Sequence, residues 1–395
     1  MSKCLRCFVC VLLLLVSACF SQQQGQVLVI TNGTILDGTG AELMPEGLVA
    51  VQEGRIIYVG PATGFDIPNG AEVVDANGGT IMPGIIDAHT HKISLLGLEV
   101  QERFLRAGVT TIRDLGSMRR KDGLKDLVER LQGQDGIPTF IMSGPIITAV
   151  GGYPTNIDRN IAWQVSDINE AINAVNSLAS SGAGVIKIGL QEWSGPLLTV
   201  EQIQAIVKTA HGHGLRVSAH VWGRKEVELA IAGGVDELAH LPVEKLTDCT
   251  ISLLIDQGIS IIPTIYIWTE MYQATDEETY QWAINNMRSN LTRFVAAGGN
   301  VAFGTDYPAS PNMPEGMPIY EMEKLLEFGM SPMEVIMAAT SNAAHVCGLG
   351  DSIGTLEVGK MADIIVVNGN PLEDITVMSE VLVVVKNGKL VIETK

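Results

Sequence analysis

Eight short β-branched runs, most of them closing on a polar or glycine residue, constrain this 395-residue chain more than any other feature. They are GIIDAHTH (84–91), GVTTIRDLG (108–116), PTFIMSGP (138–145), GVIKIGL (184–190), LRVSAHVWG (215–223), VDELAH (235–240), SIIPTIY (260–266) and NVAFGTD (300–306). Helical stretches lie between them, among them DGLKDLVERLQG, VEQIQAIVKTAHGHG and RKEVELAIAGG. Strand–helix alternation predicts an α/β fold with a parallel sheet. Eight such units over residues 83–351 fit a (β/α)8 TIM barrel. An open doubly wound sheet is the alternative, but it would more naturally carry a glycine-rich phosphate loop after its first strand, and none is present.

The two chain ends read differently. Short strands separated by Asn-Gly and Glu-Gly turns occupy residues 26–82 and return at 352–395, in GTLEVGKMADIIVVNGNPL and EVLVVVKNGKLVIET. Neither end is self-sufficient. The expectation is one small β-sandwich domain assembled from both.

With 46% hydrophobic and 18% charged residues, the chain can bury a large core. Its formal net charge of −18 lacks the basic footprint of a nucleic-acid partner. Residues 1–19 have the layout of a secretory signal, with Lys3 and Arg6 before an apolar run too short for a comfortable membrane span. Val16-Ser17-Ala18-Cys19 also fits a bacterial lipobox, with ordinary signal cleavage as the alternative. The expectation is an exported protein, periplasmic or at the cell surface, touching a membrane only through a lipid on Cys19. Cys4, Cys7, Cys10 and Cys19 fall in or beside this removable segment, so their C-x-x-C spacing is not read as a metal site. Cys249 and Cys347 remain, and sequence alone does not pair them.

Residues two apart in a strand share a face, so His89 and His91 point the same way. They sit at the C-terminal end of the first run, where barrel enzymes hold their chemistry. Two imidazoles there can share a metal ion. His220, His240 and Asp306 also close predicted strands. Each alone has an ordinary reading, a core histidine or a helix cap; all three at one end of one barrel weaken those readings. Alternation turns Lys187 inward in GVIKIG, and a charged lysine there needs an anion partner, a route for its tip to solvent, or carbamylation by carbon dioxide. The second H-x-H pair, His211 and His213, falls at a helix end beside Gly212 and Gly214 and is read as a cap region. His345 is read as a packing or surface residue.

Together, MPGIIDAHTH, AGVTTIRDLG, GAGVIKI, SAHVWGRKEVELAIAGGVDELAH, AFGTDYP and GTLEVGKMADIIVVNGNPLEDI resemble the amidohydrolase superfamily of metal-dependent hydrolases. The match is closest to its imidazolonepropionase-like group, which includes Xaa-Pro dipeptidases. The resemblance implies two divalent ions, zinc first among the candidates. His89, His91 and Asp306 would hold one, His220 and His240 the other, and carbamylated Lys187 would bridge them. It implies hydrolysis of a carbon–nitrogen bond, with Asp306 moving the proton. The expected substrate is a small molecule such as a dipeptide or N-acyl amino acid, and a homo-oligomer is expected. Tyr153 stands where many relatives have histidine, and Val221-Trp222 departs from the usual pattern after the fifth strand. Tyr153, Arg224 and Tyr266 are the candidate substrate residues, with Arg224 as a carboxylate anchor. Rival readings are a lactone, cyclic-amide or phosphotriester hydrolase, a metal-dependent isomerase or decarboxylase, and a non-catalytic surface binding protein.

Overall fold

A computed structural model describes residues 26–116 and 123–394. The expected export segment, with Cys19, lies outside them. The first strands are β1 (Leu28–Ile35), β2 (Met44–Gln52), β3 (Arg55–Pro61), β4 (Glu72–Asp75) and β5 (Thr80–Pro83). The central strands are β6 (Ile85–Thr90), β7 (Val109–Asp114), β8 (Thr139–Met142), β9 (Ile146–Ala149), β10 (Ala162–Val165), β11 (Ile186–Gly189), β12 (Val217–His220), β13 (Glu237–Leu238) and β14 (Ser260–Ile261). Last come β15 (Ile364–Val367), β16 (Val381–Lys386) and β17 (Lys389–Glu393).

Every strand pairing among β6–β14 is parallel. One sheet runs β6-β7-β8 and another β10-β9-β11-β12-β13-β14. Single contacts link them. Gly184 N donates to Met142 O at 2.9 Å, next to β11 and within β8. Parallel bridges join Ile261 to Val301 and Thr90 to Tyr307. Followed in order, these hydrogen bonds run from β6 through β7, β8, β11, β12, β13, β14 and the segment 301–307 back to β6. Helices such as 200–212, opened by a Thr199–Gln202 capping box, cover the outside.

Three expectations need correction. The SIIPTIY run is a two-residue strand, because Thr264 turns into the left-handed region (φ 48°) and a helix begins at Ile265. NVAFGTD makes isolated bridges rather than a regular strand. β9 and β10, absent from the eight runs, extend the parallel layer beside β11.

The terminal strands form one eight-stranded sheet, in the order β17-β16-β15-β5-β1-β2-β3 with β4 beside β1. The chain ends meet where β5 pairs antiparallel with β15. The sheet's opposite edges share a core, in which Ile56 of β3 and Val385 of β16 belong to one cluster with Ile30, Val49, Ile81 and Val366. One face of the sheet is buried in this cluster, while alternate residues of its strands pack elsewhere, Val29, Leu48 and Ala50 in one group and Ile365, Val367 and Val384 against the central core. No helix of the described residues is long and apolar enough to cross a membrane.

Candidate metal centre

The C-terminal ends of the central strands converge on one polar cluster. His89 lies within β6 and His91 one residue past it. Asp306 Oδ1 is 3.3 Å from His89 Nε2 and 2.9 Å from His91 Nε2. One ligand atom from each of the three lies within 4.8 Å of the others.

Asp306 has φ 65°, a conformation uncommon for a residue with a Cβ. The surroundings hold it there. Thr305 N and Asp306 N both donate to His89 O, at 3.1 and 2.7 Å. The Asp87 carboxylate accepts from Thr305 Oγ1 at 2.7 Å, Thr305 N at 3.1 Å and His89 N at 3.2 Å. One buried carboxylate thus ties the backbone of His89 to that of Asp306. Burial pushes the Asp87 carboxyl up to about 7.

The other two histidines lie alongside. The His240 ring is 4.8 Å from His89 and 4.5 Å from His220, between centroids. Outer contacts orient two of the rings. His91 Nδ1 lies 3.3 Å from Gly116 O, an acceptor only, so that nitrogen carries the proton and Nε2 offers its lone pair to the centre. His240 Nδ1 is 2.7 Å from Thr264 Oγ1, which likewise leaves Nε2 for the centre.

Several buried polar atoms here have no hydrogen-bond partner: both ring nitrogens of His89, His220 Nε2 and Lys187 Nζ. Each such group costs about 1–3 kcal/mol if left unpaired. Burial, with neighbouring positive groups adding to it, holds His89, His220 and His240 well below the usual imidazole range. They are neutral at neutral pH, the form that binds metal. Burial likewise brings Lys187 down to about 7, so its neutral amine is available under the same conditions. Neutral imidazoles and a carboxylate around unpartnered nitrogens fit a divalent ion of the zinc type.

A cavity of about 420 Å³ opens onto this cluster; Tyr153, Gln191, Trp193, His220, His240, Trp268 and Asp306 are among its lining residues. The Tyr153 ring stacks on His220 at 3.9 Å and 19°. It can lie so close because residue 189 is glycine: a Cβ there would come within 2.3 Å of Tyr153 O. Burial raises the Tyr153 phenol, which therefore keeps its proton.

The structure does not bring every candidate to the cavity. Arg224 is half exposed on the outer helix 224–233, and its Nε lies 3.6 Å from Glu228. It starts that helix, so its side chain runs along the surface instead of back over the strand end. Tyr266 packs on Tyr320, with ring centroids 4.7 Å apart, and its hydroxyl faces Glu270 at 3.4 Å. Neither residue lines the cavity. His211 meets Asp236 at 3.0 Å and His213 meets Asn176 at 2.7 Å, away from the cluster. His345 is exposed, as expected, and Cys249 and Cys347 are both free. Sequence reasoning missed Trp193, Gln191, Ile267, Trp268 and Met271 as wall residues. The helical spacing of Ile267, Trp268 and Met271 on 265–273 was an available hint, but nothing local links them to Gln191 and Trp193.

Residues 80–391 match the profile of the amidohydrolase family. An imidazolonepropionase from Sphingopyxis alaskensis is 28% identical over 401 residues, covering 87% of this chain and 92% of that protein. One from Geobacillus sp. is 24% identical over 407 residues, covering 89% and 91%. A solved structure described as a Xaa-Pro dipeptidase with bound methionine in the active site superposes with TM-score 0.79 at 26% identity, covering 92% of this chain and 99% of that one.

Proposed function

The chain belongs to the amidohydrolase family and is a hydrolase acting on carbon–nitrogen bonds, and from that premise we propose that it cleaves the amide bond of a small substrate such as a dipeptide or N-acyl amino acid at a centre of two divalent ions. The observation that carries the reading is the set of buried, unpartnered nitrogens facing the Asp306 carboxylate. His89, His91 and Asp306 would hold one ion, His220 and His240 the second, with carbamylated Lys187 between them. When bound, a divalent ion such as zinc supplies Lewis acidity, polarising a carbonyl and acidifying water.

The remaining steps belong to the chain. Asp306 accepts the proton of the attacking water and passes it to the leaving nitrogen, which departs as a neutral amine. The outer contacts of His91 and His240 keep those two rings turned inward. Tyr153, protonated and packed on His220, is a donor for the substrate carbonyl. The apolar walls exclude bulk water, which strengthens each of these interactions.

The hydrogen-bond circuit from β6 round to 301–307 supports a closed (β/α)8 barrel over 83–351. The shared core of the terminal sheet supports a sandwich built from 26–82 and 352–395. Export, with cleavage near Cys19, and homo-oligomerisation complete the reading; mass spectrometry of the native N-terminus and light scattering test them. A second substrate class, cyclic amides or lactones, gains from Arg224 lying outside the cavity, since that leaves the expected carboxylate anchor out of reach.

Elemental analysis should find one to two divalent ions per chain, and chelation should abolish amide hydrolysis. Full activity in a metal-free preparation that ignores strong chelators overturns the proposal. Asp306→Asn should lower kcat by about 10²–10⁴ with the fold intact by circular dichroism.

A further inference from the structure

The cavity at the metal centre continues outward. Trp193, Trp268 and Met271 line it and also line an adjoining space of about 400 Å³, which Trp222 and Tyr272 complete together with Thr275. The walls are aromatic rings and a thioether. Trp222 Nε1 donates to Tyr272 OH at 3.1 Å, which locks both rings and satisfies the Trp222 donor. Trp193 is 61% and Met271 50% exposed, so apolar surface continues to the rim. Single exposed apolar residues are ordinary, but a contiguous set leading into a reactive centre marks a binding surface.

The trough is also joined to the centre chemically. Trp222 follows His220 by two residues, and the Trp268 ring meets His240 edge-on at 5.3 Å and 85°. Trp268 is buried, with its Nε1 closed off from solvent, so it contributes apolar ring surface to the lining. No lysine or arginine lines either space. The occupant is therefore flat, apolar and uncharged.

Resting on the hydrolase reading above, we propose that this trough is a substrate subsite for the acyl group, and that the preferred substrates are N-acyl amino acids with an aromatic acyl group. Of the two ends of such a molecule, only the acyl group carries no charge, so it is the end an uncharged trough can take. In the reaction the C–N bond breaks and water oxygen bonds to the acyl carbon. One water proton goes to the leaving nitrogen, giving an aromatic carboxylate and a free amino acid.

The test compares N-(2-naphthoyl)glycine with N-acetylglycine on the metal-loaded protein. The ratio of their kcat/KM values should favour the naphthoyl compound by roughly 100-fold, the scale expected for burying an extra aromatic ring. Trp222→Ala should lower that ratio by about 10-fold, and Trp222→Phe should recover most of it. Met271→Ala, on the exposed side of its helix, should lower it less and serves if Trp222→Ala does not fold. A wild-type ratio near one, or a ratio indifferent to both alanine variants, overturns the subsite.

If neither amide is cleaved, the N-acyl amino acid reading fails, and binding decides the subsite separately. The probe is 2-acetylnaphthalene, neutral and without an amide, followed by tryptophan fluorescence. Saturable binding, weakened about 10-fold in Trp222→Ala or to a smaller degree in Met271→Ala, supports the trough; no saturable binding overturns it.

Discussion

Lys187 and Arg113 are both cations buried in the same parallel strand layer, and their surroundings differ completely. Arg113, on β7, is fully buried, and each of its three guanidinium nitrogens has a partner. Its Nη2 lies 2.5 Å and its Nη1 3.2 Å from the two Glu237 oxygens, while Nε donates to Ala88 O at 2.7 Å and Nη1 to Val346 O at 2.9 Å. Lys187, on β11, is as deeply buried and has no partner for Nζ. A guanidinium cannot shed its proton in a protein, so Arg113 must be met by an anion and carbonyls. An amine can, and burial brings Lys187 down to about 7. Giving each guanidinium nitrogen a partner makes the Arg113 cluster a strut between β6, β7 and β13. Leaving Lys187 unpaired keeps a nucleophilic amine facing the histidines, at a standing cost in stability. A buried polar group is thus best classified by its unmet hydrogen bonds, not by its burial.

Substituting each cation tests that contrast. Lys187→Ala should give the largest effect, a fall in activity of about 10³-fold or more, if Lys187 is the bridging ligand of the proposed centre. In the metal-free protein its melting temperature should hold or rise, since an unsatisfied buried group has gone. Short carboxylic acids should restore part of the activity by standing in for the carbamate. Near-normal turnover and full metal content without additive would reduce Lys187 to a structural residue and end the contrast.

Arg113→Met should do the reverse. It leaves the Glu237 carboxylate buried without its partner, a loss of about 3–5 kcal/mol in denaturant unfolding. Adding Glu237→Leu should recover most of that loss, and the double-mutant cycle measures the coupling. If Arg113→Met alone is as stable as wild type, the pair is not a strut.

Arg224→Ala should give the smallest effect. A half-exposed arginine 3.6 Å from Glu228 should change stability by less than about 1 kcal/mol and KM by under about 2-fold. A tenfold rise in KM for free-carboxylate substrates, absent for their esters, would return Arg224 to the site.

What was legible depended on distance along the chain. His89 and His91 could be placed from sequence because a two-residue repeat is a property of strand geometry itself, whatever the strand packs against. The inward turn of Lys187 follows from the same repeat. SIIPTIY misled because a short apolar run serves a buried strand and the start of a buried helix equally well. What separates them here is the left-handed backbone of Thr264, whose side-chain hydroxyl meets His240, 24 residues away.

Arg113 and Glu237 show the limit most clearly. GVTTIRDLG and VDELAH each contain the charged residue, yet nothing local says that partners 124 residues apart will meet. Trp193, Trp222 and Trp268 likewise gather only when three segments far apart in the chain, one of them the helix 265–273, close over one cavity. By itself the sequence determined the strand–helix alternation, the residues at the strand ends and the faces they share, because these follow from covalent geometry over a few residues. Only the tertiary structure decided which buried charges are paired, which nitrogens are left facing the cavity, and that Arg224 lies outside it. Those outcomes depend on how sheet edges and loops from distant parts of the chain close together in space.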